Sequence, residues 1–244
     1  MRAIGIICRR ELAAYFSSPL AYIFIVIFLA LSGAMTFYVG GFLERAQADL
    51  APFFGFHPWL YLFLIPAIGM RLWAEERKAG TLEFLMTLPV PTAAAVVGKF
   101  LAAWLFAGIA LSLTFPMWIT VNVLGRPDNG VIVAAYVGSW LMAGGMLAIS
   151  ASISALTRNQ VIAFVVAATV CFLFMMSGVE LVQAFFRGWL PDLLVEAIAR
   201  LSILSNYQAM SQGVIDLREA IYFTSLIAVS LFVNTAIVEL KKGA

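Results

Sequence analysis

Six long apolar stretches constrain the fold of this chain more than any other feature. A helix needs about 20 consecutive apolar residues to cross the hydrocarbon core of a bilayer. The stretches lie at roughly 20–41, 57–74, 93–123, 131–156, 159–180 and 220–239. Hydrophobic residues make up 63% of the 244 residues, against about half in soluble domains. The sequence therefore predicts an all-α, polytopic membrane protein of six spans, with residues 1–244 forming one transmembrane domain.

The distribution of basic residues predicts how these spans are oriented, because cytoplasmic loops carry an excess of Lys and Arg. Six spans place both termini on one side. With the N-terminus inside, ten of the 15 basic residues are cytoplasmic: Arg2, Arg9, Arg10, Arg71, Arg77, Lys78, Lys99, Arg158, Lys241 and Lys242. The other five are outside: Arg45, Arg126, Arg187, Arg200 and Arg218. We therefore expect cytoplasmic termini and a cytoplasmic loop after the second span.

The segment before the first span predicts a helix that lies on the membrane surface. One helical face is apolar, and the basic residues Arg2, Arg9 and Arg10 lie off it. The apolar residues of that face are Ile4, Ile7, Cys8, Leu12 and Tyr15. The same pattern is also explained by a basic segment that only anchors the start of the first span, and this alternative stays open.

Residues 181–219 are too polar to span the membrane and too apolar for a free loop. Pro191 and Asp192 suit the start of one short helix, in which Glu196 and Arg200 form an i, i+4 pair. A second short helix is expected over residues 206–212, ending at Gly213. Asp216 and Glu219 have the spacing of a capping box for the last span. We expect a helical hairpin on the outer side, either re-entrant or interfacial.

A dense group of charges separates the second and third apolar stretches. Six charged residues lie within Arg71–Glu83, although the whole chain is only 11% charged. Gly80 predicts the end of one helix, and Thr81 predicts the N-cap of the next. That helix has one apolar face, made by Leu82, Leu85 and Met86, and Pro89 ends it after about two turns. A short amphipathic helix in water is predicted, with an incidental surface loop as the alternative.

The same stretch resembles the signature loop of type-2 ABC exporter permeases. Ten residues carry the resemblance: Glu75, Glu76, Arg77, Gly80, Thr81, Leu82, Glu83, Leu85, Thr87 and Pro89. In that family the loop follows the second span and forms a coupling helix that docks on an ATPase subunit. The resemblance implies that these ten residues couple this chain to a separate ATPase.

Both ends of the chain resemble the gliding-motility branch of these permeases, through residues 10–22 and 204–223. The resemblance implies a multi-pass protein of the bacterial inner membrane that transports by alternating access. It implies two ATPase chains, which hold ATP and Mg²⁺, and a second permease. That second permease is either a copy of this chain or a different subunit with a large external domain. The cargo stays open.

The chain shows no set of residues for chemistry of its own. Gly98-Lys99 lacks a glycine five positions earlier, and Phe100 replaces the Ser or Thr of a phosphate-binding loop. We therefore expect no ATP hydrolysis, cofactor or metal in this chain. His57 is the sole histidine and is expected at an outer aromatic boundary. The formal net charge is only +2, and no nucleic-acid partner is expected.

Charges within the spans are few, which disfavours a proton- or sodium-driven carrier. A stand-alone carrier or channel nevertheless remains the alternative to an ABC permease. Lys99 is expected to extend its amine to the inner membrane surface, and Glu180 is expected to be solvated at the outer edge. The small residues of the fourth span favour helix packing first and a substrate path second. They are Gly144, Gly145, Ser150, Ser152 and Ser154.

Overall fold

The structure, a computed structural model, describes residues 2–45, 47–80, 90–187, 191–213 and 216–241, and all regular elements among them are helical. The helices are α1 (Arg2–Ser17), α2 (Pro19–Ala34) with a π-helical turn (Met35–Val39), α3 (Ala51–Gly69), α4 (Arg71–Ala79), α5 (Thr92–Ser112), α6 (Phe115–Leu124), α7 (Asn129–Ser154), α8 (Gln160–Met176), α9 (Glu180–Arg187), α10 (Asp192–Arg200), α11 (Ile203–Ser211) and α12 (Leu217–Leu240).

Five helical segments in the described part of the chain are long and apolar enough to cross a membrane. They are Pro19–Val39, Ala51–Ala79, Thr92–Leu124, Asn129–Ser154 and Leu217–Leu240. A sixth span exists if α8 and α9 are counted as one broken segment. The predicted class, an all-helical polytopic membrane protein, is confirmed.

The fifth span differs from the continuous helix expected over residues 159–180. Helix α8 ends at Met176, and α9 continues at an angle of 82° to it. Gly178 lies in the turn, where a β-carbon would collide with Ser202 and Ser205 at the start of α11. The backbone at this turn packs directly against the start of α11, a contact that no local pattern reveals.

Helix α7 lies at the centre of the bundle and contacts α3, α5, α8, α11 and α12. Within the 18-residue apolar stretch that makes α7 a candidate span, 72% of the residues are buried, whereas 17% are buried in the corresponding stretch of α12. A β-carbon on Gly144 would lie 2.7 Å from the indole nitrogen of Trp104, and one on Gly145 would lie 3.0 Å from Leu226. These small residues allow close helix approach, which supports packing as their role.

Helix α11 enters the bundle beside the start of α3, with Ile203, Tyr207 and Met210 almost fully buried. The Tyr207 hydroxyl donates to the Phe54 carbonyl of α3 at 2.8 Å. That carbonyl has no helical donor four residues later, because position 58 is a proline. Tyr207 therefore satisfies a backbone group that the proline leaves open.

The elements between α9 and α12 agree only in part with the sequence prediction. Helix α10 begins at Asp192, and Glu196 lies 3.8 Å from Arg200 as expected. Helix α11 begins three residues early, because Ser202 acts as its N-cap and accepts from the Ser205 amide. Asp216 is the N-cap residue of α12 but makes no side-chain cap hydrogen bond, so the predicted capping box is wrong.

Helix α1 packs along the start of α5 with its predicted apolar face. Ile7 lies against Gly98, where a β-carbon would be 2.8 Å from the Ile7 side chain. Tyr15 stacks on Phe106 of α5, with ring centroids 5.1 Å apart and planes at 9°. Ser18 caps α2 by accepting from the Leu20 amide, so α1 and α2 are separate helices.

Candidate coupling site

Helix α4 carries the first part of the predicted coupling segment and is attached to the end of α7 by one serine. The Ser154 hydroxyl accepts from the backbone amides of Trp73 and Ala74 at 3.2 and 3.0 Å. It also donates to the Met70 carbonyl at 2.7 Å. Ser154 thus satisfies backbone groups at the break between α3 and α4, where helix termini lack partners.

Lys99 joins three helices at this end of the bundle, which we call the α4 end. Its amine lies 2.7 Å from a Glu76 carboxylate oxygen of α4 and 3.3 Å from one of Glu11 in α1. It also lies 5.5 Å from the centroid of the Trp73 ring. Lys99 is only 3% exposed, so the expected extension of its amine to the membrane surface is wrong.

One feature of the sequence indicates that Lys99 has a charged partner. Lys99 is the sole charged residue in Thr92–Leu124. A buried charge needs a counter-charge, because desolvation without one costs several kcal/mol. The identity of the partners required the fold, since Glu11 and Glu76 lie on other helices.

Glu11 is held ionised by its basic neighbours. Burial by itself raises the pKa of this carboxyl, but Lys99 and Arg10 outweigh that effect and the pKa is lowered from its ordinary value of 4.5. The Arg10 guanidinium donates to Glu11 at 2.8 Å. The contact between α1 and α5 is therefore an ion pair at neutral pH.

Two basic side chains cap the C-terminal carbonyls of α7. Arg77 of α4 donates to the Ala155 carbonyl at 2.9 Å. Lys241, directly after α12, donates to the same carbonyl at 3.3 Å and also to that of Leu156. Burial and the nearby charges of Arg77 and Arg158 lower the Lys241 pKa. Helices α4, α7 and α12 therefore meet at one helix C-terminus, where cations are favoured.

Gly80 ends α4 in the left-handed conformation that the sequence predicted. Its φ and ψ are 71° and 9°, and its amide donates to the Glu76 carbonyl. A β-carbon there would meet no atom within 4 Å. The backbone conformation alone, and not a lack of space, favours glycine at this position.

The four described residues of the predicted coupling motif have different surroundings. Glu75 is paired with Arg71 at 2.8 Å, and its side chain is 47% exposed. Glu76 and Arg77 contact Lys99 and Ala155 of their own chain. The other motif residues, Thr81, Leu82, Glu83, Leu85, Thr87 and Pro89, lie outside the described residues, so the short helix there stays a prediction.

His57 does not lie at the expected aromatic boundary. It is fully buried, and its Nδ1 is hydrogen-bonded to the Ser139 hydroxyl of α7. Four aromatic rings surround it: Phe28, Phe53, Phe54 and Tyr61. Among the described ranges, no three His, Cys, Asp or Glu residues are grouped so that they hold a metal ion.

The fold and the α4 end define a class of protein: a multi-pass helical membrane protein in which α4, at the end of the second candidate span, is connected to α1, α5 and α7. The family described as "ABC-2 family transporter protein" matches residues 45–238, well over half of the chain. The chain belongs to this family, and it is a membrane permease component of an ABC transporter, not itself the catalytic subunit. A comparison with curated proteins gives no match.

Proposed function

We propose that this chain is the transmembrane subunit of an ATP-driven type-2 exporter. Two copies of a separate ATPase chain, with ATP and Mg²⁺, supply the energy, and a second permease completes the transport path. The membership in the ABC-2 family carries this proposal. In the gliding-motility branch that the chain resembles, the second permease is a different subunit with a large external domain. We extend that arrangement to this chain.

The contacts at the α4 end support a route for coupling. The segment predicted to dock on the ATPase directly follows α4 and Gly80. Helix α4 is joined to α1 and α5 through Lys99, and to α7 through Ser154 and Arg77. A displacement of α4 therefore acts on several helices at once. In this mechanism ATP closes the ATPase pair, and residues 82–88 pass the movement through α4 to the bundle, which alternates between inward and outward access.

The proposed location is the bacterial inner membrane, with both termini and Lys78 in the cytoplasm. The ten-to-five bias of basic residues supports this orientation. It also places the α4 end on the side where an ATPase and its ATP are found.

Affinity purification in mild detergent tests the assignment, with identification of the chains that co-purify. We expect an ABC ATPase in wild-type preparations, and no ATPase activity in this chain when purified alone. A functional transporter that never associates with an ATPase would favour the alternative, a stand-alone carrier or channel.

Two substitutions test the coupling role of the loop. Glu83→Lys is expected to weaken ATPase co-purification strongly, since truncating or reversing one charge of a buried interface pair costs about 2–5 kcal/mol. Gly80→Val is expected to do the same, because a β-branched residue resists the positive φ and redirects the chain that follows. Gly80→Asn is the matched control, since Asn tolerates this conformation better than other residues.

Membrane levels are matched before the variants are compared. Normal ATPase binding by both Glu83→Lys and Gly80→Val would show that this loop is only a connector.

A further inference from the structure

A cavity of about 220 Å³ opens at the corner between α1 and α2, and its lining includes Lys99 and Glu11 from the contacts that join α4 to the bundle. Its rim includes Ala14 and Leu20, which are exposed, and its floor includes Ile68 and Phe106. The cavity lies on the side of the membrane that carries α1, which is cytoplasmic in the topology proposed above. It is therefore placed where the head group of a lipid in that leaflet reaches the protein.

The polar lining of the cavity carries both signs of charge in equal number. Arg71 and Lys99 are the cations, and Glu11 and Glu75 are the anions. Lys99 lines the cavity and is only 3% exposed, so one of these charges is buried within the bundle and does not lie at its surface. A solely anionic head group would meet two carboxylates here, and a solely cationic one would meet two basic groups.

The hydrogen-bonding groups match a molecule that contains both a phosphate and an amine. Arg71 uses Nε and Nη2 to bind Glu75 at 2.8 and 3.2 Å, and no described residue accepts a hydrogen bond from its Nη1. Tyr15, whose hydroxyl is a hydrogen-bond donor, also lines the cavity. These groups donate to phosphate oxygens, whereas the carboxylates of Glu11 and Glu75 accept from an ammonium group.

An apolar groove continues from this cavity towards the other side of the membrane. Phe24, Ile68 and Phe106 line both the cavity and the groove. The groove then follows α2, α3 and α5 along Ile25, Phe28, Ile65, Ala107 and Ala110. It is narrow, about 20 Å³, so an acyl chain would lie along it and not inside it. A charged cavity that leads into an apolar groove fits an amphiphile better than a small polar molecule.

We propose that the cavity between α1, α2, α4 and α5 binds one membrane phospholipid with a zwitterionic phosphoethanolamine head group, whose acyl chain follows the groove between α2, α3 and α5. Arg71 and Tyr15 hold the phosphate, and Glu11 and Glu75 hold the amine. Such a lipid would fill the space beneath the corner of α1 and α2 and stabilise the position of α1 on the bundle.

Native mass spectrometry tests the proposed lipid site. The sample is the full chain together with all subunits that co-purify with it. The purified protein is offered phosphatidylethanolamine or phosphatidylglycerol with the same acyl chains. We expect one tightly retained phosphatidylethanolamine and about tenfold weaker retention of phosphatidylglycerol, since the site loses its amine contacts. Equal retention of both would indicate surrounding bilayer lipid only and would overturn the proposal.

Substitutions at the rim supply the matched comparison. Ala14→Leu fills the mouth of the cavity and is expected to reduce retention about tenfold. Ala13→Leu adds the same side chain to an exposed neighbour that does not line the cavity, and should behave as wild type. Arg71→Gln is expected to weaken retention, while Arg126→Gln, on a distant exposed arginine, is not. Equal retention by Ala14→Leu and Ala13→Leu would overturn the site.

Soluble glycerophosphoethanolamine separates a lipid site from a site for a small polar molecule. We expect this head-group analogue to displace no bound phosphatidylethanolamine at a concentration at which added phosphatidylethanolamine replaces the bound lipid. Effective displacement would show that the groove contributes nothing and would overturn the lipid assignment. The readout uses neither transport nor an ATPase, so failure of the exporter assignment leaves this test unchanged.

Discussion

At the scale of single residues, Lys99 has the most consequential surroundings in the described chain. It is the buried cation shared by Glu11 and Glu76, so its removal takes a buried positive charge away from both carboxylates, while Arg10 stays beside Glu11. Breaking a buried pair in this way costs about 3–5 kcal/mol. We expect Lys99→Met to lower the midpoint of thermal unfolding in detergent clearly, whereas Lys78→Met, on an exposed lysine, should leave it unchanged.

A compensating variant separates charge from packing at this position. If the loss comes from the missing buried charge, adding Glu11→Gln and Glu76→Gln to Lys99→Met should recover most of the stability, because the negative charges that Lys99 balanced are removed with it. A triple variant as unstable as Lys99→Met alone would instead assign the effect to the volume of the lysine chain.

The lowered pKa of Glu11 predicts a specific acid dependence. A carboxyl whose folded pKa lies below its ordinary value of 4.5 stabilises the fold in full above that pH. This stabilisation is lost as the pH falls through the folded pKa. Thermal unfolding followed from about pH 7 to 3 should therefore show a steeper acid decline for wild type than for Glu11→Gln. Parallel curves would contradict the assigned ion pair; Glu239→Gln, on an exposed carboxylate, serves as the control.

At the scale of elements, α11 is attached to α3 by the hydrogen bond from the Tyr207 hydroxyl to the Phe54 carbonyl, which Pro58 leaves without its helical donor. Without the Tyr207 hydroxyl, the Phe54 carbonyl would be buried with no donor from position 58. We expect Tyr207→Phe to cost about 1–3 kcal/mol, the penalty of an orphaned polar group. Tyr22→Phe is the matched control, because its hydroxyl bonds the Phe16 carbonyl at the surface.

A double-mutant cycle of Tyr207→Phe and Pro58→Ala tests whether the proline is the reason for this hydrogen bond. Alanine restores the backbone amide that the Phe54 carbonyl lacks, so Tyr207→Phe should cost much less in the Pro58→Ala background. Equal costs in both backgrounds, measured by unfolding in detergent, would show that the proline is not the reason for the bond.

The elements also show what a sequence reveals in this class of protein. The helices follow from the length of apolar runs, a local property, and α2, α5 and α12 begin within a few residues of the predicted positions. The turn at Gly178 and the burial of α11 were missed, because both depend on contacts between distant segments. The positive φ of Gly80 was predictable, since it is a property of helix ends.

The coupling role of the segment after α4 stays a prediction from the sequence, and the contacts of its described residues were not predictable. A dense polar stretch between apolar runs marks an aqueous segment without any knowledge of packing. That Glu76 and Arg77 contact their own bundle could not be predicted, because their partners Lys99 and Ala155 come later in the chain and on other helices. The motif alone does not separate residues that contact a partner from residues that connect the loop to its own fold.

At the scale of the whole molecule, the orientation in the membrane is the property to test first. We expect single cysteines at positions 78, 128 and 200, in a chain with Cys8 and Cys171 replaced by serine, to label asymmetrically. The cysteine at position 78 should react only from the cytoplasmic side. The cysteines that replace Asp128 and Arg200 should react from the outside. Labelling of position 78 by an impermeant reagent on intact cells would reverse the topology.

The shortness of α8 has a consequence for the surrounding bilayer. Its 17 residues span roughly 26 Å, and the chain then turns by 82° into α9, so no apolar helix continues across the remaining depth. A hydrocarbon layer of about 30 Å must thin beside α8 or expose polar groups to lipid. We therefore expect the protein to unfold at a higher temperature in nanodiscs of short-chain phosphatidylcholine than in those of long-chain phosphatidylcholine. Acyl-chain length would then change the stability of this permease from outside the protein, at a helix that does not reach across the bilayer.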